Sequence, residues 1–192
     1  SDVCSSDLAK GDLFHRYGVS WKKIRWMTNR AETIPHIPPD ITLERAPEGT
    51  HVGALLAEGK IDAMINPHPP KAFLDGDPRV KRLFDNPQAE EIRYFQEQGY
   101  YPIMHIVAVR EEVAARYPES LPAIFEAFEK ARRIAQGYYD DPNWSLLAWG
   151  RQALEWEKSV FGRDPWENGI RANRSNLEQF IRYSYEQGLI SR

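Results

Sequence analysis

Residues 55–70 have the sequence LLAEGKIDAMINPHPP, and this stretch decides the fold class. The residues up to Glu58 continue a helical pattern of apolar side chains, and Gly59 is typical of a helix end. Ile61–Ile65 is then almost wholly apolar, as expected of a strand in a parallel sheet that helices cover on both faces. The stretch therefore predicts an α/β protein.

Helical and strand patterns alternate along the first half of the chain. The predicted strands are Ile24–Thr28, Ile41–Arg45, Ile61–Ile65 and Tyr100–Val109. This alternation predicts a mainly parallel sheet flanked by helices, with extra helices towards the C-terminus. Because those extra helices have few strands to cover, the chain is expected to be a C-terminal fragment of a longer protein.

Three of the predicted helices have distinct sequence signatures. One spans Pro87–Gln98. A long helix after Ser120 carries a stripe with a 3.6-residue period, formed by Leu121, Ile124, Phe125, Phe128, Ala131, Ile134 and Ala135. The last helix carries a stripe formed by Leu177, Phe180, Ile181 and Tyr185. If the first lobe of that longer protein is absent, we expect exposed apolar surface on the last helices. We also expect Gly188 with Leu189 to end the last helix in a Schellman motif.

Composition argues against two classes of partner. The chain has 192 residues and a net charge of −3, from 25 basic and 28 acidic residues. This mixed, nearly neutral pattern gives no electrostatic case for nucleic acid. The longest strongly apolar run, Ile103–Val109, is interrupted by His105 and is too short to span a bilayer, so no membrane insertion is expected.

Common cofactor and catalytic motifs are absent from the sequence. It contains no GxGxxG, P-loop, HExxH, CxxC or GxSxG pattern. Its five histidines are widely spaced, so no metal site is predicted and we expect no cofactor. Cys4 is the single cysteine, which excludes an internal disulfide.

The loop after Ile61–Ile65 carries the first candidate binding residues. Asn66, His68 and Lys71 supply an amide, an imidazole and an ammonium at a predicted strand end, where open α/β sheets bind ligands. Such a group favours a small organic anion. The alternative is a solvated loop in which the prolines fix the turn and His68 has no role.

His105 is a second candidate, because it interrupts an apolar run. A buried polar side chain needs a hydrogen-bond partner, so this residue is also consistent with a satisfied histidine in the core. If it lines a site instead, an imidazole can serve as a general acid near neutral pH.

Three blocks of the sequence resemble one protein family. The blocks are Ala46–Gly49 with Leu55–Phe73, then Tyr101–Arg110, and finally Asp164–Gly169 with Ala172–Arg174 and Arg182–Leu189. In this order they resemble the 4,5-dihydroxyphthalate decarboxylase-like proteins. That family shares the type 2 periplasmic-binding-protein fold of ABC transporter substrate-binding proteins, and the resemblance covers most of residues 9–192.

The resemblance implies two α/β lobes that hold a ligand in the cleft between them. Residues 9–100 would form the second lobe. Residues 101–192 would form a crossing strand and a helical return to the first lobe, which would be incomplete. Residues 1–8 differ in composition from the rest and are predicted to be a non-native leader.

The resemblance also implies further site residues. Met104 or His105 would point into the cleft where the strand crosses between lobes. Trp166 would stack on an aromatic ligand, although such a tryptophan can instead anchor its loop on the core. Lys71 or Arg110 would bind the carboxylate that a decarboxylase substrate retains.

The sequence departs from the family at one position. An arginine is common in the family near the position of His68. An imidazole cannot make the bidentate clamp that a guanidinium makes on a carboxylate. The departure therefore predicts a different ligand class or a pH-dependent affinity.

Two functions fit the resemblance. The leading hypothesis is an ABC transporter substrate-binding protein that closes around an aromatic or dicarboxylic acid and delivers it to a permease. The competing hypothesis is a 4,5-dihydroxyphthalate decarboxylase-like enzyme, in which His105 or His68 is the catalytic acid. The receptor would be periplasmic and the enzyme cytoplasmic. A third hypothesis, a helical interaction module, leaves the loop around Asn66 without a role.

Overall fold

The structure is a computed structural model that describes residues 3–29, 38–141 and 143–191, with side chains from residue 6 onward. Of the predicted leader, Ser1 and Asp2 lie outside the described residues. The remainder belongs to the first helix, which begins at Val3. That the leader is non-native stays a prediction.

The described residues combine helices with a small sheet. The helices are α1 (Val3–Tyr17), α2 (Val52–Ala57), α3 (Lys71–Leu74), α4 (Pro87–Gln98), α5 (Glu111–Arg116), α6 (Ser120–Asp140), α7 (Gly150–Phe161) and α8 (Arg174–Glu186). The strands are β1 (Arg25–Thr28) and β2 (Thr42–Arg45), and a short 3₁₀ helix, Trp21–Lys23, precedes β1. Within the described residues, none of the helices has the length and apolarity needed to cross a membrane.

The two strands form a parallel pair, which is consistent with the predicted α/β class. The register runs from Arg25 opposite Thr42 to Thr28 opposite Arg45. Parallel neighbours need a crossover connection of about a dozen residues, and residues 29–41 supply that length. Both strands predicted in this part of the chain, and their parallel pairing, are therefore confirmed.

The other two predicted strands are wrong. Ile61–Ile65 and Tyr100–Val109 lie outside regular secondary structure, and neither pairs with a strand among the described residues. A strand is stabilised by ladder hydrogen bonds to a neighbour and by burial of its side chains. Here Ile65, Ile106 and Val107 stay exposed, so apolar and β-branched composition alone did not produce a strand.

The chain divides into two compact units. The first comprises residues 1–91 and 177–192, and the second comprises residues 92–176. Helix α8 therefore starts in the second unit and continues in the first. The predicted domains, 9–100 and 101–192, refer to lobes of a longer protein and stay a prediction.

In the first unit, α1 packs closely against the part of α8 that belongs to this unit. Tyr183 is almost fully buried, and its hydroxyl donates a hydrogen bond to Asp12 Oδ1 (3.0 Å). A Cβ added at position 11 would lie 2.1 Å from the Tyr183 ring, so only glycine leaves room for this contact. Leu8, on the same helix, is also buried.

Helix α8 ends as predicted. The Gly188 N–H donates to the Tyr185 carbonyl (2.9 Å), and the Leu189 N–H donates to the Ser184 carbonyl (2.9 Å). Gly188 has a φ of 73°, in the left-handed region that glycine adopts without a steric penalty. These two bonds are the pair that defines a Schellman motif, which confirms the prediction.

In the second unit, polar side chains of α6 hold the neighbouring loop. Arg132 pairs with Glu129 (2.7 Å) and with Asp164, and Gln136 Nε2 donates to Asp164 Oδ2 (2.8 Å). Asn168 Nδ2 donates to Glu129 Oε1 (2.7 Å). These contacts fix the loop around residues 164–168 against a helix that has no buried residue of its own.

Candidate functional site

Three of the predicted site residues lie in the first unit, on the loop that leads into α3. Asn66 Oδ1 accepts a hydrogen bond from the His68 backbone N–H (3.0 Å), which closes an Asx turn. Lys71 Nζ donates to Asp75 Oδ2 one helical turn further on (2.5 Å). All three residues are exposed. A ligand could therefore reach His68 directly, whereas the ammonium of Lys71 would have to exchange its carboxylate partner.

Three more of the predicted residues lie in the second unit, in the irregular run before α5. Met104, His105 and Arg110 are all exposed, so the interpretation of His105 as a satisfied core histidine is wrong. The Arg110 carbonyl accepts hydrogen bonds from the N–H groups of Val113 and Ala114 (3.0 Å each), which begins α5. The Arg110 side chain makes no capping hydrogen bond. Its guanidinium is therefore not engaged in the start of α5.

Asn176 anchors the start of this run, and sequence reasoning missed it. Asn176 is fully buried, its Oδ1 accepts from the Ile103 N–H (3.3 Å), and its Nδ2 donates to the Tyr101 carbonyl (2.7 Å). Two hydrogen bonds to one side chain satisfy a buried amide that would otherwise be costly. The one signal in the sequence is a short polar residue just before Leu177, at the start of the last helix, which does not reveal its partners.

The seventh predicted residue, Trp166, belongs to the loop held by α6. Its indole meets the Tyr101 ring edge to face, with centroids 5.0 Å apart and planes at 60°. Its backbone N–H donates to Asp164 Oδ1 (2.9 Å). This contact fits the alternative in which Trp166 anchors its loop. About half of the side chain is exposed, so stacking on an aromatic ligand stays a prediction.

The two carboxylates that hold the Trp166 loop in place, Glu129 and Asp164, both pair with Arg132. The guanidinium of Arg132, and then the amide of Asn168, donate hydrogen bonds to Glu129 and hold the pKa of that carboxyl below its usual range. A carboxylate with two such donors stays ionised at neutral pH and keeps the loop in place. The network therefore has a structural role beside the predicted site.

A shallow pocket lies in each unit, and neither of these two is lined by a predicted site residue. The pocket in the second unit has a volume of about 20 Å³ and lies between Phe95, Tyr101 and Asn173. That volume suffices for a water molecule but not for an aromatic acid. The pocket in the first unit has a volume of about 140 Å³ and lies between Trp21, Asp40 and the end of α8.

A charged cluster borders the pocket of the first unit. Glu186 accepts hydrogen bonds from His15 Nε2 (2.6 Å) and Arg182 Nε (2.8 Å), and the His15 ring stacks on Tyr183. Burial alone would raise the pKa of Glu186, but the hydrogen bonds from His15 and then Arg182 outweigh it and leave the pKa below its usual value. The cluster links α1 to α8 and was not predicted.

The structure places the seven predicted residues in two groups. Asn66, His68 and Lys71 belong to the first unit, and Met104, His105, Arg110 and Trp166 belong to the second. Across the described part of the chain, no three histidine, cysteine, aspartate or glutamate side chains converge as a metal site. The shared ligand site proposed for the two groups therefore stays a prediction.

Comparisons with known proteins identify relatives. The chain is 31% identical over 189 residues to a Comamonas testosteroni protein named 4,5-dihydroxyphthalate decarboxylase, and the match covers 94% of this chain and 57% of that protein. A Pseudomonas putida protein of the same name is 31% identical over 91 residues, which cover 44% of this chain and 35% of that protein.

These matches set the extent of the relationship. The chain spans a little over half the length of the Comamonas relative. No protein-family model matches it. The chain is therefore related to proteins named 4,5-dihydroxyphthalate decarboxylase over nearly its whole length, which confirms the resemblance of its three sequence blocks.

Proposed function

We propose that the chain functions in the decarboxylation of an aromatic dicarboxylate of the 4,5-dihydroxyphthalate type. The observation that carries the proposal is the 31% identity to the Comamonas relative over 94% of this chain. The substrate-binding protein of a transporter was the leading hypothesis from the sequence. Both relatives are named as decarboxylases, so the comparisons favour the competing hypothesis.

The proposal includes the type 2 periplasmic-binding-protein fold, in which two α/β lobes close on a ligand. Its support is the α/β character of the chain and the parallel pairing of β1 with β2. Hinge closure of two lobes would exclude water from the reacting groups and strengthen their electrostatic interactions with the substrate.

The chemistry needs one acid and one cation. A proton is added to the ring carbon that bears the leaving carboxylate, and the ring loses its aromaticity. The bond to the carboxylate carbon then breaks, its electron pair returns to the ring, and CO₂ leaves. A hydroxyl group para to the leaving carboxylate stabilises the charged intermediate, and a cation holds the carboxylate that stays.

His105 is our first candidate for the acid and His68 is the second. Both are exposed, and neither imidazole has a hydrogen-bond partner among the described residues. Arg110 is the better candidate for the cation, because its guanidinium can bind a carboxylate with two parallel hydrogen bonds. Lys71 would first have to leave Asp75.

Turnover of 4,5-dihydroxyphthalate tests the proposal directly. We expect the chain to release CO₂ and 3,4-dihydroxybenzoate, which liquid chromatography separates from the substrate. His105→Ala should lower kcat by roughly 10²–10⁴-fold, the usual contribution of a positioned general acid. His51→Ala is the matched control, since His51 is exposed and makes no side-chain hydrogen bond to the helix it precedes.

Two results would contradict these assignments. Full activity in both His105→Ala and His68→Ala would show that neither histidine is the acid. A rise in melting temperature with the dicarboxylate, but without any product, would overturn the enzyme and favour a receptor that only binds.

A further inference from the structure

We propose that Asn176 is a positioning residue, whose buried amide replaces a neighbouring strand and holds the backbone from which Met104 and His105 project. The catalytic role of His105 rests on the proposed function. The hydrogen bonds that Asn176 makes to the backbone do not depend on the proposed function.

The hydrogen bonds of Asn176 reproduce those of one residue in a parallel ladder. In such a ladder, a residue donates its N–H to one carbonyl of the adjacent strand and accepts from the N–H two residues further along. Asn176 Nδ2 donates to the Tyr101 carbonyl (2.7 Å), and its Oδ1 accepts from the Ile103 N–H (3.3 Å). No strand pairs with this run among the described residues, so the side chain supplies what a strand would.

The residue between the two bonded groups fits this arrangement. Pro102 has no N–H to donate, and proline is tolerated beside a ladder only where its nitrogen faces away from the partner. Asn176 bonds to the carbonyl before Pro102 and to the N–H after it. The arrangement therefore needs no hydrogen bond from the proline nitrogen.

Asn176 is also placed where the chain needs an anchor. It is fully buried, whereas residues 104–110 are all exposed. The centroid of the Tyr101 ring lies 5.8 Å from that of Phe161 and 5.0 Å from that of Trp166. These side-chain contacts hold the same end of the run as the backbone hydrogen bonds of Asn176. The run is therefore held up to Ile103, two residues before His105.

This anchoring matters for an acid on an otherwise exposed segment. A catalytic group works only if it is held close to its productive position, and a displacement of about 1 Å can cost two orders of magnitude in rate. Removing the amide would leave the Tyr101 carbonyl and the Ile103 N–H without this partner and loosen the segment that carries His105.

Amide hydrogen exchange on the full chain tests the anchor without any ligand. Asn176→Ala should speed exchange of the Ile103 amide by about tenfold or more, because its one acceptor in the structure is lost. Asn173→Ala is the matched control. Asn173 is also an asparagine that holds backbone carbonyls, those of Glu167 (2.7 Å) and Gly169 (3.0 Å), but its side chain makes no hydrogen bond to this run among the described residues.

An isosteric variant keeps the test valid if the alanine variant folds poorly. Asn176→Asp retains an acceptor for the Ile103 N–H but loses the donor to the Tyr101 carbonyl. Its Ile103 exchange rate should lie between those of the wild type and Asn176→Ala. Unchanged exchange in both Asn176 variants, or equal acceleration in Asn173→Ala, would overturn the anchor.

Positioning of His105 needs a second readout. The ring resonances of His105 should shift in Asn176→Ala and not in Asn173→Ala, and kcat for 4,5-dihydroxyphthalate should fall about tenfold or more while KM changes little. Faster Ile103 exchange with unchanged His105 resonances would overturn the positioning role. Shifted resonances in a chain that turns over no substrate would support it and contradict the proposed function instead.

Discussion

Helices α1 and α8 of the first unit bury side chains where they meet, whereas helix α6 of the second unit buries none. Tyr183 and Ser184 on α8, and Gln187 directly after this helix, are buried, although two of the three are polar. Helix α6 has 21 residues, carries a regular apolar stripe and buries none of it. The comparison shows that an amphipathic pattern identifies the face that favours an apolar neighbour. Burial depends on whether such a neighbour is present.

On α8 the predicted stripe is not the buried one. Ile181 and Tyr185 are both more than half exposed, in line with the apolar surface expected on the last helices. The buried face instead follows the groups that find partners on α1. Gln187 Nε2 donates to the Asp7 carbonyl (2.8 Å), and the Tyr183 ring lies over Gly11. Polar side chains can be buried when hydrogen bonds compensate for the loss of water.

Among the variants that test this comparison, Gly11→Ala is expected to change the free energy of unfolding most. The new methyl group would lie 2.1 Å from the Tyr183 ring, which is almost fully buried. Such overpacking should lower the free energy of unfolding by roughly 1–3 kcal/mol. Urea denaturation followed by circular dichroism measures the change. An unchanged midpoint would show that α1 and α8 leave room for a methyl group at position 11.

A smaller effect is expected when Glu186 on α8, which accepts hydrogen bonds from His15 on α1 and from Arg182, is titrated. The pKa of Glu186 lies below its usual value of 4.5, since the hydrogen bonds from His15 and Arg182 outweigh burial. A carboxyl whose pKa is lower in the folded state stabilises the fold above the unfolded pKa, and that contribution disappears as the pH falls through the folded pKa. Glu186→Gln should therefore cost about 1 kcal/mol at pH 7 and almost nothing well below pH 4.

Thermal melts of the two proteins between pH 7 and pH 3 check this difference. The control is Glu155→Gln on α7, where an exposed glutamate pairs with Arg151 one turn away (2.7 Å). We expect its melting temperature to follow the wild type at every pH. A constant gap between wild type and Glu186→Gln down to pH 3 would contradict the assigned direction of the pKa shift.

How far the sequence could predict this structure depends on the range of the forces involved. Helix α4 and the Gly188 motif were predicted correctly because local spacing and backbone preference determine them. The strands at Ile61–Ile65 and Tyr100–Val109 were not, because pairing depends on a neighbour that no local pattern specifies. The prediction of parallel strands was correct for β1 and β2, because each of these two short strands has a neighbour to pair with.

The residues of the candidate site also differ in how far the sequence could predict them. The turn at Asn66 follows from residue chemistry, since asparagine before proline and histidine favours an Asx turn. His105 was chosen because it interrupts an apolar run, and the family resemblance strengthened that choice. Trp166 was chosen as a residue that can stack on an aromatic ligand, and the structure adds the exposure of both side chains. Asn176 could not be found from the sequence, because a buried amide is recognisable only through the distant backbone groups that it bonds.

A stabilising change is expected from Gly137→Ala on α6. This helical glycine has nothing within 4 Å of the position that a Cβ would take, in contrast to Gly11 on α1. Alanine in a helix interior should therefore raise the free energy of unfolding by about 0.5–1 kcal/mol. Urea denaturation gives the sign, and a loss of stability would mean that the exposed side of α6 is packed against something.

The smallest effect on stability is expected from Phe128→Ser in the apolar stripe of α6. The Phe128 side chain is 52% exposed, so its removal loses little buried area and should change the free energy of unfolding by less than about 0.5 kcal/mol. Self-association and binding of a hydrophobic dye should fall, because exposed apolar patches drive both. Sedimentation velocity and dye fluorescence measure these changes.

Phe161→Ser in the same unit is the contrasting variant. The Phe161 ring packs edge to face against Phe95 at 4.7 Å and against Tyr101 at 5.8 Å, so its loss should lower stability clearly without reducing dye binding. If Phe128→Ser instead cost as much stability as Phe161→Ser, the stripe on α6 would be buried in solution. The contrast between α6 and the α1–α8 contact would then be wrong, since both would be helices whose apolar faces have found their neighbours.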